Sequence, residues 1–422
     1  MKHLQQKQNK DLLRYALFFF GFLVLYNFIV INHFKLWSAN IITYTYHIFD
    51  YSFGFVTKLL PGAVYHLFFK DVYLEQLNVY LTILVMLFFA CVALLLAKMV
   101  VTQPTQSQRN TLLVLIIFYL SGPCTFSIFT YQLGILDFYW LPLSALFMLL
   151  VSNKYLKYLI PLIFALSILV HFSCFLSYLI LYSLILLFRI ATAEDKKEKR
   201  GFLIVFACSL VLSLVLTVYF ITHEQNNLTY SFDAFHREQQ KRTLSFDEIY
   251  RIYYDDALYK YYEEGNISFE RARSVPLLTG TGAFAQIING VYAQFKKTMD
   301  MYDAARGFRL RFFFLAGLLA PLYALFVKYW VRKIKEGSRL QKITCCLCIV
   351  QFPFTMLGAL FSPDVSRFLT HAFLIQFTLF FYVLFKEKET NVIKALLPRF
   401  IGSREVLIYY LIYAITFFDP YK

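Results

Sequence analysis

Leu159-Ile-Pro-Leu-Ile-Phe-Ala-Leu-Ser-Ile-Leu-Val-His171-Phe-Ser-Cys-Phe-Leu-Ser-Tyr-Leu-Ile-Leu-Tyr-Ser-Leu-Ile-Leu-Leu-Phe188 is a run of thirty residues with no charge apart from His171. As one α-helix, rising about 1.5 Å per residue, it would reach roughly 45 Å, too long for a hydrocarbon core about 30 Å thick. Broken at His171 it gives two helices, each short for a full crossing. The choice decides on which side of a membrane every later segment lies.

Cytoplasmic short loops concentrate Lys and Arg, so the charges arbitrate. With a hairpin at His171 and the amino terminus inside, twenty-four Lys and Arg fall in cytoplasmic segments, against five in the short outer ones (Lys35, Lys58, Lys70, Arg367, Lys422). A single crossing would move the clusters at Arg189–Arg200, Lys328–Lys342 and Lys386–Arg404 outside. The hairpin is the reading the charges favour.

Working outward, 59% of the 422 residues are hydrophobic and 16% charged, with 48 Phe and 32 Tyr. Soluble domains run near 45–50% apolar and about 25% charged. Apolar runs of about 20 residues recur, and lipid admits only helices or closed barrels, because it offers the backbone no hydrogen bonds. The runs are continuous rather than alternating, so the chain reads as an all-α, polytopic integral membrane protein of about eleven spans. These fall near 12–32, 77–97, 111–130, 136–152, 158–171, 173–188, 202–222, 310–328, 343–361, 366–385 and 405–418. Seven spans form an amino-terminal bundle (1–222) and four a carboxy-terminal one (309–422). The first apolar run lacks a small-residue cleavage site and reads as a retained signal anchor.

Between the bundles, residues 223–308 form one large extracytoplasmic loop. The segment up to Arg311 carries twelve basic and twelve acidic residues, so it is neutral, and it is too long for a structureless connection. Ser245-Phe-Asp-Glu248 is a capping-box pattern opening an amphipathic helix that ends near Gly265, and a second helix is expected over 283–302. This subdomain reads as a lid or acceptor-binding element, or as a plain structural cap. Thr279-Gly-Thr-Gly282 lacks the Lys-Ser/Thr of a phosphate loop. Asn227-Leu-Thr and Asn266-Ile-Ser fit a glycosylation sequon. The formal charge of +15 is mostly a topology signal, which points to anionic lipid and not to nucleic acid. No cofactor is expected, and Cys345-Cys-Leu-Cys348 has no partner pair at zinc spacing.

Ionisable groups near membrane depth are costly unless paired or hydrated, so each is a candidate site. Four places stand out, all on the outer side of this layout. The first is the loop from Asp50 to Gly62, with Lys58 inside it and His47 and His66 flanking it. Its carboxylate and amine suit a base and a phosphate partner, or a snorkelling lysine over a paired acid. The second is Asp137, at a helix start where a plain cap competes with a binding role. Third comes His171, where two half-length helices meet as they do around cavities, although a satisfied structural histidine reads the same way. The fourth is Ser362-Pro-Asp364-Val-Ser-Arg367-Phe-Leu-Thr-His371, which sets an acid, a guanidinium and an imidazole on one helical face. Arg suits a diphosphate, unless an Asp364–Arg367 pair simply fixes the helix end.

Gly54-Phe-Val-Thr-Lys58 with Gly62, Gly134-Ile-Leu-Asp137, Val170-His171 and Asp364-Val-Ser-Arg367 resemble motifs of bacterial surface-polysaccharide proteins, the Wzy-type O-antigen and capsule polymerases and EpsG-like proteins. The acidic residue of the first outer loop, Asp50, is also similar to the base of GT-C glycosyltransferases. The resemblance implies a glycosyltransferase or polysaccharide polymerase of the bacterial inner membrane. Its amino terminus would be cytoplasmic and its carboxy terminus extracytoplasmic. It would act on polyprenyl-diphosphate-linked sugars beside other polysaccharide-assembly proteins. Asp50, His171, Asp364 and His371 would be catalytic, and Lys58, Asp137 and Arg367 would bind substrate. Two rivals stand beside that reading, a GT-C-type transferase adding one sugar and a non-catalytic transporter.

Overall fold

The computed structural model describes residues 2–32, 34, 35, 37, 39, 43, 46, 47, 50, 51, 59–70, 72–122, 134, 136–228, 306–360, 365–387, 404, 408, 409, 411 and 412. Among them every regular element is helical: α1 Lys2–Tyr26, α2 Leu60–His66, α3 Leu74–Val101, α4 Gln106–Leu120, α5 Leu136–Val151, α6 Ile160–Val170, α7 Tyr178–Thr192, α8 Lys196–Leu228, α9 Arg306–Glu336, α10 Arg339–Met356 and α11 Val365–Glu387. Four are long and apolar enough to cross a membrane, over Gln8–Ile31, Glu75–Val101, Lys196–Phe220 and Arg367–Lys386. Leu136–Val151, Leu156–Val170 and Tyr178–Thr192 are shorter apolar helices.

The decisive run is broken where the charge argument requires. α6 ends at His171, whose φ of −170° and ψ of 134° are extended, and α7 starts at Tyr178 after one 3₁₀ turn, Phe172–Leu176. Backbone groups at the break pair locally, with the Cys174 N–H donating to His171 O (3.2 Å) and the Ser177 N–H to Cys174 O (3.1 Å). Little backbone is left for lipid to satisfy.

Nearly all of the span in α11, 89% of it, is buried inside the protein, against 28–33% for the other three. α11 is therefore the central helix, and a polar lock holds it there. Trp330 Nε1 of α9 donates to Gln376 Oε1 (2.9 Å), while Gln376 Nε2 donates to Cys348 O (2.6 Å) and Gln351 Oε1 (2.7 Å) of α10. Amide pairs are strong fasteners where the alternative is an unsatisfied group in hydrocarbon. At the helix starts, Thr105 opens α4 through a reciprocal capping box with Gln108, and the Ser338 N–H donates to Gln341 Oε1 (2.7 Å) at α10.

The two ends of the bundle differ. At one end Arg109 pairs with Asp11 (3.5 Å) and donates to Val101 O at the close of α3. At the same end Arg189 pairs with Glu198 (2.6 Å), and the Phe202 ring lies under both Lys157 Nζ (4.3 Å) and Arg189 Cζ (4.8 Å). Gly201 leaves room for it, since a Cβ there would come within 2.8 Å of Lys157 Nζ and push the ammonium aside. The starts of α3, α5 and α11 and the close of α6 make the opposite end, which carries the site below.

Some boundaries move. α8 continues to Leu228, so residues 223–228 extend the helix instead of opening the outer loop, and the sequon asparagine Asn227 is helical. Such a sequon needs an exposed loop, and helical backbone does not provide one. α9 begins at Arg306, inside the expected loop. The rest of that loop, the second half of the expected span 111–130 and most of the span 405–418 lie outside the described residues.

Candidate functional site

The site is built at the start of α5. The turn before it bends at Gly134, whose φ of +80° suits glycine. A Cβ there would lie 2.5 Å from Thr43 Cγ2 and 2.7 Å from Leu81 Cδ1. Glycine thus lets the turn wedge between the first loop and α3, and sets Asp137 in the first turn of α5, 3% exposed.

Two groups of α11 close on that carboxylate. Arg367 Nε lies 3.5 Å from Asp137 Oδ2, and His371 Nε2 lies 3.6 Å from the same oxygen. Both separations are long for a hydrogen bond and within ionic range. Residues 367 and 371 share a helical face, as their spacing requires, and Asp137 supplies the charge that holds both. The side chains of His371 and Asp137 are 2% and 5% exposed, whereas Arg367 keeps 22%. The guanidinium, not the imidazole of His371, is therefore the more accessible of the two groups.

Aromatic rings form the wall. Trp140, one turn into α5, meets His171 edge-on at 6.4 Å and His371 at 5.9 Å, and its Nε1 donates to Ser167 O of α6 (3.0 Å). Tyr178 packs edge-on against His371 at 5.3 Å. His171, half-buried at the break, also lies within electrostatic reach of Asp137. The break in the apolar hairpin thus delivers an imidazole to the carboxylate of another helix pair.

The first loop reaches the same region. Burial, and then the Asp137 carboxylate, push the Tyr46 phenol up to about 12. The next residue, His47, is fully buried and donates from Nδ1 to Thr43 O (2.6 Å), leaving Nε2 to accept from the Tyr139 hydroxyl of α5. That arrangement fits a neutral ring, and burial lowers its pKa to about 4. His47 pins the loop to α5, and Tyr65 and Tyr80 complete its aromatic surround.

Asp137, His171, Arg367 and His371 thus come together from three separate stretches of sequence. Asp50 is half-buried on the loop that carries Tyr46 and His47, while the carboxylate that holds Arg367 and His371 is Asp137. Lys58 and Asp364 lie outside the described residues. The sequence reading passed over Tyr46, Tyr139, Trp140 and Tyr178, because in a chain that is 20% aromatic such residues carry no contrast. Among the described residues no three His, Cys, Asp or Glu side chains gather closely enough to hold a metal ion.

A family model described as "Uncharacterised membrane protein Rv1490" matches residues 15–231, just over half of the chain and including Asp137 and His171. No curated protein and no solved structure matches.

Proposed function

The chain belongs to the Rv1490 family of membrane proteins, and from the geometry at Asp137 we propose that it is a membrane-embedded glycosyl transferase acting outside the cytoplasm. It is a multi-pass protein of the bacterial inner membrane with about eleven spans, its amino terminus cytoplasmic and its carboxy terminus outside. It polymerises or transfers polyprenyl-diphosphate-linked sugars at the outer leaflet during assembly of a cell-surface polysaccharide.

One observation carries this reading: an acid, a guanidinium and an imidazole gather at the end of the bundle away from its basic face, with a second imidazole within electrostatic reach. Such groups are costly in lipid and gather there for chemistry more readily than for packing. Exposure divides the work. Arg367, partly open, takes the diphosphate, and His171, half-buried at the helix break, takes the acceptor hydroxyl. Asp137 and His371 are buried and position them.

In the transfer, the acceptor oxygen bonds to the anomeric carbon of the donor sugar as the bond from that carbon to the diphosphate oxygen breaks. The electron pair leaves with the diphosphate, stabilised by Arg367, and the acceptor proton passes to His171. The buried Gln376 network gives less support to a transporter, since its amides bond to one another instead of lining a path.

The test supplies membranes containing the full chain with a lipid-linked repeat unit and resolves products by length. A ladder is expected, and His171→Gln should slow it about 10²–10⁴-fold, as loss of a general base does. Addition of one sugar only would favour the single-transfer version. Unchanged ladders from both His171→Gln and Arg367→Ala, at equal protein levels, would overturn the reading.

A further inference from the structure

Behind the Asp137 cluster, a cavity of about 420 Å³ runs between α3, α5, α7 and α11. Its volume falls within the roughly 300–1,000 Å³ of ligand pockets. Its wall runs from Leu141 of α5 to Asn153 just past that helix, and along α11 from Leu374 to Phe385. The eleven steps of about 1.5 Å from Leu374 to Phe385 give about 17 Å, close to half of a hydrocarbon core about 30 Å thick. The cavity is one leaflet deep, and its wall is mostly apolar.

Its two ends differ in chemistry. Tyr178 stands at the closed end, 1% exposed, with a hydroxyl that has no hydrogen-bond partner among the described residues. The open end carries exposed Ser152, Asn153 and Lys98. Lys386, next to the wall residue Phe385, is also exposed and within electrostatic reach of Lys98 and Arg189. Glu198, an acid within electrostatic reach of Lys386, is already bound to Arg189, and Lys98 and Lys386 give the mouth its cations.

We propose that this cavity seats one acyl chain of an anionic phospholipid, with the lipid phosphate held between Lys98 and Lys386. Depth fits one chain of one leaflet, and the cations fit one phosphate. The chain tip would lie against Tyr178, and through it against His371, so the bound lipid would brace the wall of the site. The inference concerns the basic end and does not depend on glycosyl transfer at the other.

The experiment strips lipid from the purified full chain in detergent. It then offers equimolar phosphatidylglycerol and phosphatidylcholine with polyprenyl phosphate, and counts retained lipid by native mass spectrometry. One phosphatidylglycerol per chain is expected, in several-fold preference to phosphatidylcholine. Lys98→Ala and Lys386→Ala should each weaken retention about fivefold, the effect of one surface cation on an anionic lipid. Ala145→Phe, which fills the slot, should abolish retention. Ser152→Trp blocks the exposed mouth outside the packed interior, so it reads the same loss should Ala145→Phe misfold. Equal retention of the two phospholipids, displacement by polyprenyl phosphate, or undiminished retention in Ser152→Trp would each overturn the proposal.

Discussion

Asp137→Asn removes the charge on which Arg367 and His371 converge while keeping the shape of the side chain. At 3.5 Å, a unit pair attracts by about 5 kcal/mol at an effective dielectric of about 20. The guanidinium keeps 22% of its surface in solvent, so hydration offsets part of the loss. Breaking a fully buried pair costs about 3–5 kcal/mol, and after that discount the cost here should be about 2–3 kcal/mol. Arg367→Gln should cost at least as much, because it leaves the buried Asp137 carboxylate, 3% exposed, without its main counter-charge, with only the helix dipole to support it. The pairwise part comes from the double variant: a coupling of about 2 kcal/mol is expected. Unfolding in mixed micelles with a denaturing detergent measures it. Trp140 fluorescence makes a local probe, since that ring touches both His171 and His371. A coupling within about 0.5 kcal/mol of zero, the range of independent sites, would show that the pair does not hold the site together.

Gly134→Ala should destabilise the chain by about 2–4 kcal/mol, combining a left-handed backbone with a Cβ forced onto Thr43 and Leu81; a midpoint equal to wild type in the same unfolding assay would refute the wedge. His47 gives a pH effect of defined sign. Its folded value near 4 lies below the ordinary 6.5, so the unfolded chain holds the extra proton in between. Stability is then full above about pH 6.5 and falls by about 1.4 kcal/mol per unit toward pH 4. His47→Gln should flatten that slope, and parallel pH profiles for the two proteins would contradict it.

The hairpin at His171 was legible because thirty uncharged residues fit neither one span nor two full ones, and because loop charges had to alternate. Asp137, His171, Arg367 and His371 were each visible as ionisable groups in apolar surroundings. Their meeting was not visible. Asp137 and Arg367 are separated by 230 positions, and hydropathy says which face of a helix is apolar without saying which neighbour it meets. Arg367 shows the difference: sequence spacing offers Asp364, one turn away and outside the described residues, and the fold adds Asp137 from α5, which no spacing suggests. Gly134 was legible only as part of a motif, since its reason is the crowding of Thr43 and Leu81. Gln376 left a fainter signal, an amide in an otherwise apolar helix, and a search confined to ionisable groups passes over it.

Mechanism rests on which face the Asp137 cluster meets, and that is measured directly by single cysteines in a background where the seven native ones are replaced. Lys70 and Lys154 are both exposed and lie at opposite ends of the bundle. With a membrane-impermeant maleimide on cells whose inner membrane is intact, Lys70→Cys should label at once and Lys154→Cys only after permeabilisation. The reverse pattern would put the site in the cytoplasm and end the case for transfer from carrier-linked sugars outside.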